Sequence, residues 1–477
     1  MRRPFTLSAA LAVLLATTAC RPAVRATPPR ALRGDQAELA VYVQPLAAGP
    51  LVLELATIAA TREDGPPVPL ELHLGRLSPE TATRQRLVAS GRLPPGSYTG
   101  LAVALRRATL APNGGTGAAL AIPEEPLVAL VPFAVASGRG QVLLLSVRPE
   151  AVNAGAVLEG SALAAYAPDR PSAPLLGVSA VDYADSLLLF DRRAGGVVAL
   201  FPTGPEPRTV AIDAFRQRVY VASSGANRID AFDLATFETL DSTRLRVGDR
   251  PLSMALTPSG GLLVVANPGS DTVSLVDPIG GQELERVSVA GEPSWVTLDR
   301  PGLRAFVASR RTSTVSIITT DVALLTSGSA AVLGSFSVEP DPIRLFVEPA
   351  GDRLIIAYAR TPYVTVHALP SGAMADRIFT GAPASALLRD PRSGALVVAT
   401  ADGKLQLYDP GTLLATATIA LPAPATYLVI DDAENALLAL LPGRGSVAVV
   451  DLTARKLRGE FELGPGPHDL ALVAERR

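Results

Sequence analysis

The sequence is poor in the residues that carry most metal and redox chemistry. Its 477 residues include one cysteine and three histidines. A single cysteine can form neither a disulfide within the chain nor a Cys-x-x-Cys-His haem attachment. His73, His367 and His468 lie far apart in the sequence, so they form no cluster with metal-ligand spacing. The sequence therefore predicts no metal site and no cofactor.

Charged residues are also scarce. They make up 18% of the chain, and the formal net charge is only −2. Such a balance does not favour nucleic acid or an anionic membrane surface as a partner held by net charge. A low charge combined with 48% apolar residues indicates extensive buried sheet rather than disorder. The length predicts at least two domains.

The common catalytic motifs are absent as well. The sequence contains no glycine-rich phosphate loop opening a helix, no nucleophile elbow and no calcium loop of EF-hand spacing. Motif searches thus identify no enzyme class, and we expect a non-enzymatic binding or scaffolding role.

The apolar run near the N-terminus is too short to span a membrane permanently. This run, residues 7–15, follows Arg2 and Arg3 and precedes small residues, which is typical of an export signal over residues 1–19. Cys20 follows directly and resembles the lipid-acceptor cysteine of bacterial lipoproteins, which implies a lipid anchor in a membrane. The opening residues also resemble a twin-arginine signal, although general secretion is favoured.

Residues 20–36 are basic and proline-containing without apolar periodicity, which predicts a flexible tether between lipid and protein. Arg21 stands where the enterobacterial sorting rule places Asp for inner-membrane retention. By that resemblance we expect a lipid-anchored protein of the cell envelope, with the outer membrane favoured.

Residues 37–166 alternate short apolar runs with turn signals, which predicts a β-sandwich of about seven to nine strands. The stretch Leu93-Pro94-Pro95-Gly96-Ser97-Tyr98 resembles the signature of prealbumin-like sandwich domains of bacterial surface lipoproteins. That resemblance implies an architecture and no chemistry. The proline-rich stretch 167–174 then predicts a linker.

Residues 175–477 are self-similar, and this is the most informative property of the sequence. A loop ending in proline recurs every 41 to 49 residues, and each of the first six loops precedes four short apolar runs. The loops lie at 204–207, 248–251, 291–293, 339–342, 381–383, 422–424 and 464–467. Four strands at this period predict the blades of a β-propeller.

The second strand of each repeat carries a further signature, as in Tyr220-Val221-Ala222-Ser223 and Val264-Val265-Ala266-Asn267. These repeats resemble the YVTN family of propellers, a fold class that includes bacterial lactonases. The C-terminal end supplies one first strand, whereas residues 177–203 supply three strands. We therefore predict an all-β chain in which a β-sandwich precedes a seven-bladed propeller closed by a composite blade.

The proline loops and the turns between second and third strands share one face in other propellers. That face would combine Trp295 with cationic and acidic side chains, and aromatic and Arg residues are favoured at binding hot spots. The alternative is that the charges are solvated turn residues and that Trp295 is packed. The cations are Arg208, Arg228, Arg250, Arg310, Arg311, Arg344, Arg360, Lys404 and Arg444, and the acids are Asp249, Asp271, Glu292 and Asp341.

The strongest residues for this binding site are Trp295, Arg310, Arg311, Arg344, Arg360 and His468. The expected partner is another envelope protein or a surface ligand. Gly466-Pro467-His468 loosely resembles a loop of lactonase-like propellers, where His468 could act as a general base or simply pack the loop. A hydrolase at the channel mouth is therefore the alternative function, and a surface antigen without a specific ligand is a third.

Overall fold

The computed structural model describes residues 36–46, 51–110, 117–148, 158, 160–169, 171–172, 175–236, 238–327 and 331–473. Within them the chain is almost entirely β-sheet, with one ten-stranded sheet followed by seven four-stranded sheets. The prediction of an all-β chain with a seven-bladed propeller is confirmed. The predicted signal peptide, Cys20 and nearly all of the tether lie outside the described residues.

The first unit is a sheet of ten strands in which β3 joins two halves. β3 pairs with β5 on one side and with β2 on the other, and residues of both halves belong to one buried core. Its resemblance to a prealbumin-like sandwich remains a prediction. The strands are β1 (Ala37–Val43), β2 (Leu51–Arg62), β3 (Val68–Leu72), β4 (Arg76–Leu77), β5 (Arg86–Leu93), β6 (Gly96–Leu110), β7 (Ala118–Ala119), β8 (Leu127–Val135), β9 (Gly140–Val147) and β10 (Leu163–Tyr166).

The sequence motif around Tyr98 forms the entry to strand β6. The Tyr98 ring is buried and stacks on Phe133, while its hydroxyl donates a hydrogen bond of 2.7 Å to the carbonyl oxygen of Pro94. The motif therefore fixes a turn to the core of the first unit. This structural role requires no ligand.

Blades 1 to 6 of the propeller each contain four consecutive strands, and the composite blade combines β38 with β11, β12 and β13. The strands of the composite blade are β11 (Leu176–Val181), β12 (Ser186–Asp191), β13 (Gly196–Pro202) and β38 (Pro467–Leu472). The strands of blades 1 to 3 are β14 (Pro207–Asp213), β15 (Arg218–Ser223), β16 (Arg228–Asp233), β17 (Thr239–Arg244), β18 (Ser253–Leu256), β19 (Leu263–Asn267), β20 (Thr272–Asp277), β21 (Gln282–Ser288), β22 (Pro293–Leu298), β23 (Arg304–Ser309), β24 (Thr314–Thr319) and β25 (Val332–Ser337). The strands of blades 4 to 6 are β26 (Pro342–Val347), β27 (Arg353–Tyr358), β28 (Tyr363–Ala368), β29 (Met374–Phe379), β30 (Ala384–Arg389), β31 (Leu396–Thr400), β32 (Lys404–Tyr408), β33 (Ala415–Ala420), β34 (Tyr427–Asp431), β35 (Ala436–Leu441), β36 (Ser446–Asp451) and β37 (Lys456–Glu462).

The composite blade closes the ring as the sequence predicts. Strand β38 pairs antiparallel with β11, with Leu472 opposite Gly177 and Leu470 opposite Ser179. The C-terminal strand is thus the innermost strand of a blade whose other three strands come from the start of the propeller. Because β38 pairs with β11, neither strand has an unpaired edge where they meet.

The longest repeat differs from the others by a helical insertion. Helix α1 (Val322–Thr326) lies between β24 and β25, and its N-cap Asp321 accepts a hydrogen bond from the Ala323 backbone N–H. This insertion explains the 49-residue spacing between the loop prolines Pro293 and Pro342. Nowhere in the described part of the chain does a helix have the length and apolarity needed to cross a membrane.

The first unit packs directly against the side of the propeller. Ala40, Tyr42 and Leu144 of the first unit share a buried core with Phe190 of the composite blade and Phe461 of blade 6. At Gly140 only glycine fits, because a Cβ atom would lie 2.2 Å from the Leu200 carbonyl oxygen. The two units are therefore joined by a packed apolar interface in addition to the chain between them.

A buried carboxyl group lies at this interface and predicts a pH dependence of stability. Glu38 is only 4% exposed, and its carboxylate lies 3.7 Å from Arg92, which itself lies 3.9 Å from Asp185 of the propeller. Tyr183 of the propeller is a further neighbour. Burial raises the pKa of Glu38 to about 7, and the Arg92 charge offsets this only in part.

We therefore expect Glu38→Gln to stabilise the protein at pH 8 and to change little at pH 4.5. The folded-state pKa exceeds the ordinary value, so the folded state binds more protons and the wild type loses stability as pH rises from about 4.5 to about 7. The loss amounts to at most about 3 kcal/mol. Thermal melts from pH 4.5 to 8 measure it, with Glu63→Gln at an exposed turn as control. Parallel pH profiles for Glu38→Gln and the wild type would contradict the prediction.

Candidate functional site

The proline loops and the turns between second and third strands do lie on one face, which we call the proline-loop face. In three blades the backbone N–H after the second strand donates to the loop residue that precedes the proline. The N–H groups of Ser224, Arg310 and Ala359 donate to the carbonyl oxygens of Glu206, Glu292 and Asp341 respectively. Positive φ angles, which residues other than glycine rarely adopt, occur at the loop residues Glu206, Arg250, Glu292 and Asp341. The turns are thus held in one uncommon conformation around the ring.

The innermost strand of each blade lines the central channel. In each repeat the residue two positions after the loop proline is polar or aromatic, although the flanking strand positions are mostly apolar. Five of these residues line a cavity at the proline-loop face, Ser253 lines a deeper cavity, and Ser385 bonds to the next blade. The seven residues are Thr209, Ser253, Trp295, Arg344, Ser385, Thr426 and Asp469.

The cavity at the mouth of the channel has a volume of about 360 Å³, which falls in the range of small-molecule sites. A second cavity of about 250 Å³ lies deeper in the channel. Thr209, Trp295, Arg344 and Tyr427 line both cavities. These four residues therefore lie at the boundary between the two.

Trp295, Arg344 and Tyr427 contact one another at this boundary. The Arg344 guanidinium lies 4.1 Å from the Trp295 ring centroid, and the Trp295 and Tyr427 centroids are 5.9 Å apart. The Trp295 indole N–H donates to the Leu345 carbonyl oxygen at 3.3 Å. Trp295 is thus partly packed, as one of the two sequence interpretations expects, and it also lines the mouth.

Asp469 supplies the carboxylate of the channel mouth. Its side chain is only 4% exposed and accepts a hydrogen bond of 2.8 Å from the Val210 backbone N–H. Burial raises the pKa of Asp469 to about 6, although its backbone hydrogen bonds favour the charged form. The contact ties the composite blade to blade 1.

His468 lies at the rim of the mouth between two charged side chains. Its Nε2 is 2.7 Å from Asp182 Oδ2, and Arg208 Nη1 is 3.1 Å from its Nδ1. An imidazole beside a carboxylate is an arrangement that general-base catalysis can use. The same contacts also connect the proline loop to the composite blade. Among the described residues, no group of three or more His, Cys, Asp or Glu side chains is placed to hold a metal ion.

The predicted binding residues separate into two sets. Trp295, Arg310, Arg344 and His468 line the mouth cavity together, whereas Arg311 and Arg360 lie outside it. Arg311 is paired with Asp271, and Arg360 lies 3.4 Å from Asp341. The Asp271 carboxylate also accepts a hydrogen bond from the Glu292 backbone N–H, so Asp271 has a structural role in the loop.

Most cations predicted on the proline-loop face have a carboxylate partner. Eight of the nine lie within 4.0 Å of one, and Arg344 is the exception among the residues that the structure describes. Its Nη1 and Nη2 donate instead to the backbone oxygens of Ile343 and Thr426, at 2.9 and 2.8 Å. The pairing of the other cations favours a structural role for them, and Arg344 is the cation of the channel wall that has no carboxylate within 4.0 Å among the described residues.

A larger cavity, about 550 Å³, lies between the first unit and the propeller. Arg84, Arg192 and Arg193 line it, and each faces a carboxylate, at 2.8, 2.7 and 2.6 Å respectively. Arg458 also lines this cavity and is exposed, without an ion pair among the described residues. The channel mouth is the stronger candidate for recognition of a charged ligand, because its unpaired arginine, Arg344, lies in the channel wall rather than in solvent.

Sequence reasoning did not single out Tyr427, Asp182, Asp469 or Thr209. Comparing one position across the repeats could have found Asp469 and Thr209, because the channel-facing position carries polar residues throughout. Asp182 offers no such signal, since its contact with His468 joins residues 286 positions apart in the chain.

Comparison with solved structures returns propellers. A protein of unknown function from Desulfotomaculum acetoxidans matches with a TM-score of 0.56 and 11% identity, covering 63% of this chain and 99% of its own. A candidate 6-phosphogluconolactonase from Bacteroides fragilis matches with a TM-score of 0.53 and 14% identity, covering 64% and 99%. At such identities the likeness shows the fold alone. No protein-family model matches the chain, and no curated protein matches it either.

Proposed function

We propose that this chain is an envelope lipoprotein, anchored through Cys20, that binds a ligand or partner protein at the channel mouth of its proline-loop face. The observation that carries the proposal is the cavity there, in which Arg344 lacks a carboxylate partner among the described residues while the neighbouring cations have one. A cation held in a concave site without an ion-pair partner within 4.0 Å is available to a ligand.

The lining of the mouth supports binding more strongly than catalysis. Trp295 offers an aromatic surface, and Leu252 and Ile343 add apolar contacts beside Arg208, Arg310 and Arg344. Aromatic and arginine side chains around a desolvated centre are typical of binding hot spots. The outer membrane is the favoured location within this proposal, because Arg21 follows the anchor cysteine.

Hydrolysis at the channel mouth is the second candidate function. It is supported by the contact of His468 with Asp182, which could orient the imidazole as a base. The Arg208 guanidinium contacts the same ring, which links the histidine to a structural ion pair. A separate nucleophile with a hydrogen bond to His468 is not found among the described residues, so binding remains the better supported function.

A photo-reactive phenylalanine placed at Leu252 tests the proposal in membranes of the native host. Leu252 lines the mouth and is 39% exposed, whereas Leu303, 51% exposed, lies in a turn on the opposite face and serves as control. We expect a stoichiometric adduct from position 252 and none from position 303, identified by mass spectrometry.

Equal adducts from both positions would contradict specific binding at this face, and no adduct from either position would exclude a partner protein there. Ester hydrolysis by the purified protein that His468→Ala abolishes would favour the hydrolase instead.

A further inference from the structure

The charge of Arg344 is unusual among the cations of this protein because of where it lies. The side chain is in the channel wall, on the boundary of the two channel cavities, with no carboxylate within 4.0 Å among the described residues. Burial lowers the pKa of the guanidinium, although arginine remains protonated. A cation so placed is poorly solvated. The Asp469 carboxylate attracts it from beyond 4.0 Å, and a bound anion would compensate its charge further.

The position of the guanidinium is fixed before any ligand binds. The Trp295 ring covers one side, and the carbonyl oxygens of Ile343 and Thr426 each accept one N–H. Arginine has five N–H donors, so each Nη group retains a second one. Preorganised donors lose little conformational freedom on binding, which favours affinity.

The other charged groups of the mouth already have partners in the protein. Arg208 and Arg310 line the mouth with Arg344, but Arg208 lies within 4.0 Å of Asp182 and Glu206, and Arg310 pairs with Asp341. The Asp469 oxygens accept the backbone N–H groups of Val210 and Leu470. Arg344 is therefore the cation of the mouth that remains for a bound anion.

We propose that the channel mouth is an anion site in which Arg344 binds the carboxylate or phosphate group of a small organic molecule, with Trp295 against the body of the ligand. The inference rests on the proposed function, whose ligand class it names. The volume of about 360 Å³ suits a molecule of metabolite size, and Trp295 and Tyr427 line the cavity with aromatic surface. Planar guanidinium groups bind both carboxylates and phosphates through paired hydrogen bonds.

The protein carries its own probe for this site, because Trp295 is its single tryptophan. The full-length protein in detergent is titrated with citrate and with inorganic phosphate while tryptophan emission is recorded. Sodium chloride at matched ionic strength controls for screening. We expect a saturable change with citrate, phosphate or both, and the stronger of the two distinguishes a carboxylate from a phosphate ligand.

Arg344→Gln removes the proposed anion partner, and we expect the affinity to fall at least about tenfold. Arg344→Lys keeps the charge but loses the planar fork, so it should bind with intermediate affinity. Arg300→Gln, at an exposed arginine of a turn on the opposite face, should bind like the wild type. Circular dichroism verifies the fold of each variant.

Three results would overturn the inference: no saturable response of the wild type, a response that chloride reproduces, or unchanged affinity in Arg344→Gln. The wild-type titration decides the first two even if the Gln variant fails to fold. An adduct at position 252 without anion binding would reject this inference and leave the proposed function standing. Anion binding without a protein adduct would restrict the proposed function to a small-molecule ligand.

Discussion

A chain that stops after Leu463 should lose at least about 10 °C of melting temperature and associate in solution. The truncation removes strand β38, whose neighbours β11 and β14 are then left with unpaired or uncovered surfaces. Leu470 and Val473 are 1% and 3% exposed, and loss of two such side chains costs about 4 kcal/mol or more. Each kcal/mol corresponds to about 2–4 °C in a domain of this size class.

The matched control is a chain that stops after Val473. It removes only the last four residues and keeps the whole of β38 (Pro467–Leu472), so its melting temperature and monomeric state should equal those of the full chain. Differential scanning calorimetry and size-exclusion chromatography with light scattering measure both quantities. A monomeric chain that ends at Leu463 and melts like the full chain would show that composite closure does not stabilise the ring.

Tyr42→Ala should destabilise the protein by about 3–5 kcal/mol and uncouple the first unit from the propeller. Tyr42 is completely buried in the core that both units share, and its hydroxyl donates a hydrogen bond of 2.7 Å to the Leu463 carbonyl oxygen. Without the ring, the interface around Phe190 and Phe461 loses its central side chain. We expect an added low-temperature transition in calorimetry, because the first unit would then unfold before the propeller.

Two variants separate the contributions of the ring and of the hydroxyl. Tyr42→Phe keeps the ring and loses the hydrogen bonds to Leu463 and Tyr183, so the cost should be about 1–3 kcal/mol. Tyr166→Ala, at a tyrosine that is 44% exposed, should change stability by about 0.5 kcal/mol or less. If Tyr42→Ala melted like Tyr166→Ala, the packed interface would not couple the two units.

The sequence predicts the propeller because each blade repeats the same local pattern. A loop ending in proline, four short apolar runs and turns at regular spacing need no long-range information to be recognised. The composite blade also follows from the sequence, since one end supplies a single first strand and residues 177–203 supply three. The helical insertion at Val322–Thr326 changes one spacing without changing the order of the strands.

The candidate site is predicted only in part. The sequence places Trp295, Arg310, Arg344 and His468 on one face, and the structure brings these four together at the channel mouth. The sequence alone does not show that Arg311 and Arg360 belong to ion pairs outside the cavity, because their partners Asp271 and Asp341 lie in other loops. Pairing of side chains across blades depends on how the ring closes.

One feature of the sequence indicates that the first unit packs against another surface. Strand β1 (Ala37–Val43) is buried along its whole length, and its apolar run Leu39-Ala40-Val41-Tyr42-Val43 lacks the alternation of a strand with one solvated face. Such a run predicts that both faces are covered. It does not say by what, and the covering surface is the composite blade, whose strands lie far along the chain.

The sequence by itself determined the all-β class and the seven blades with their composite closure, because these properties arise from local strand patterns and a repeat period. Only the tertiary structure decided which cation in the channel lacks a carboxylate within 4.0 Å and which surface of the propeller the first unit covers. Both depend on contacts between residues far apart in the chain, such as Arg344 with Thr426 and Tyr42 with Leu463. Such contacts are set by the closed geometry of the ring, which no single repeat encodes.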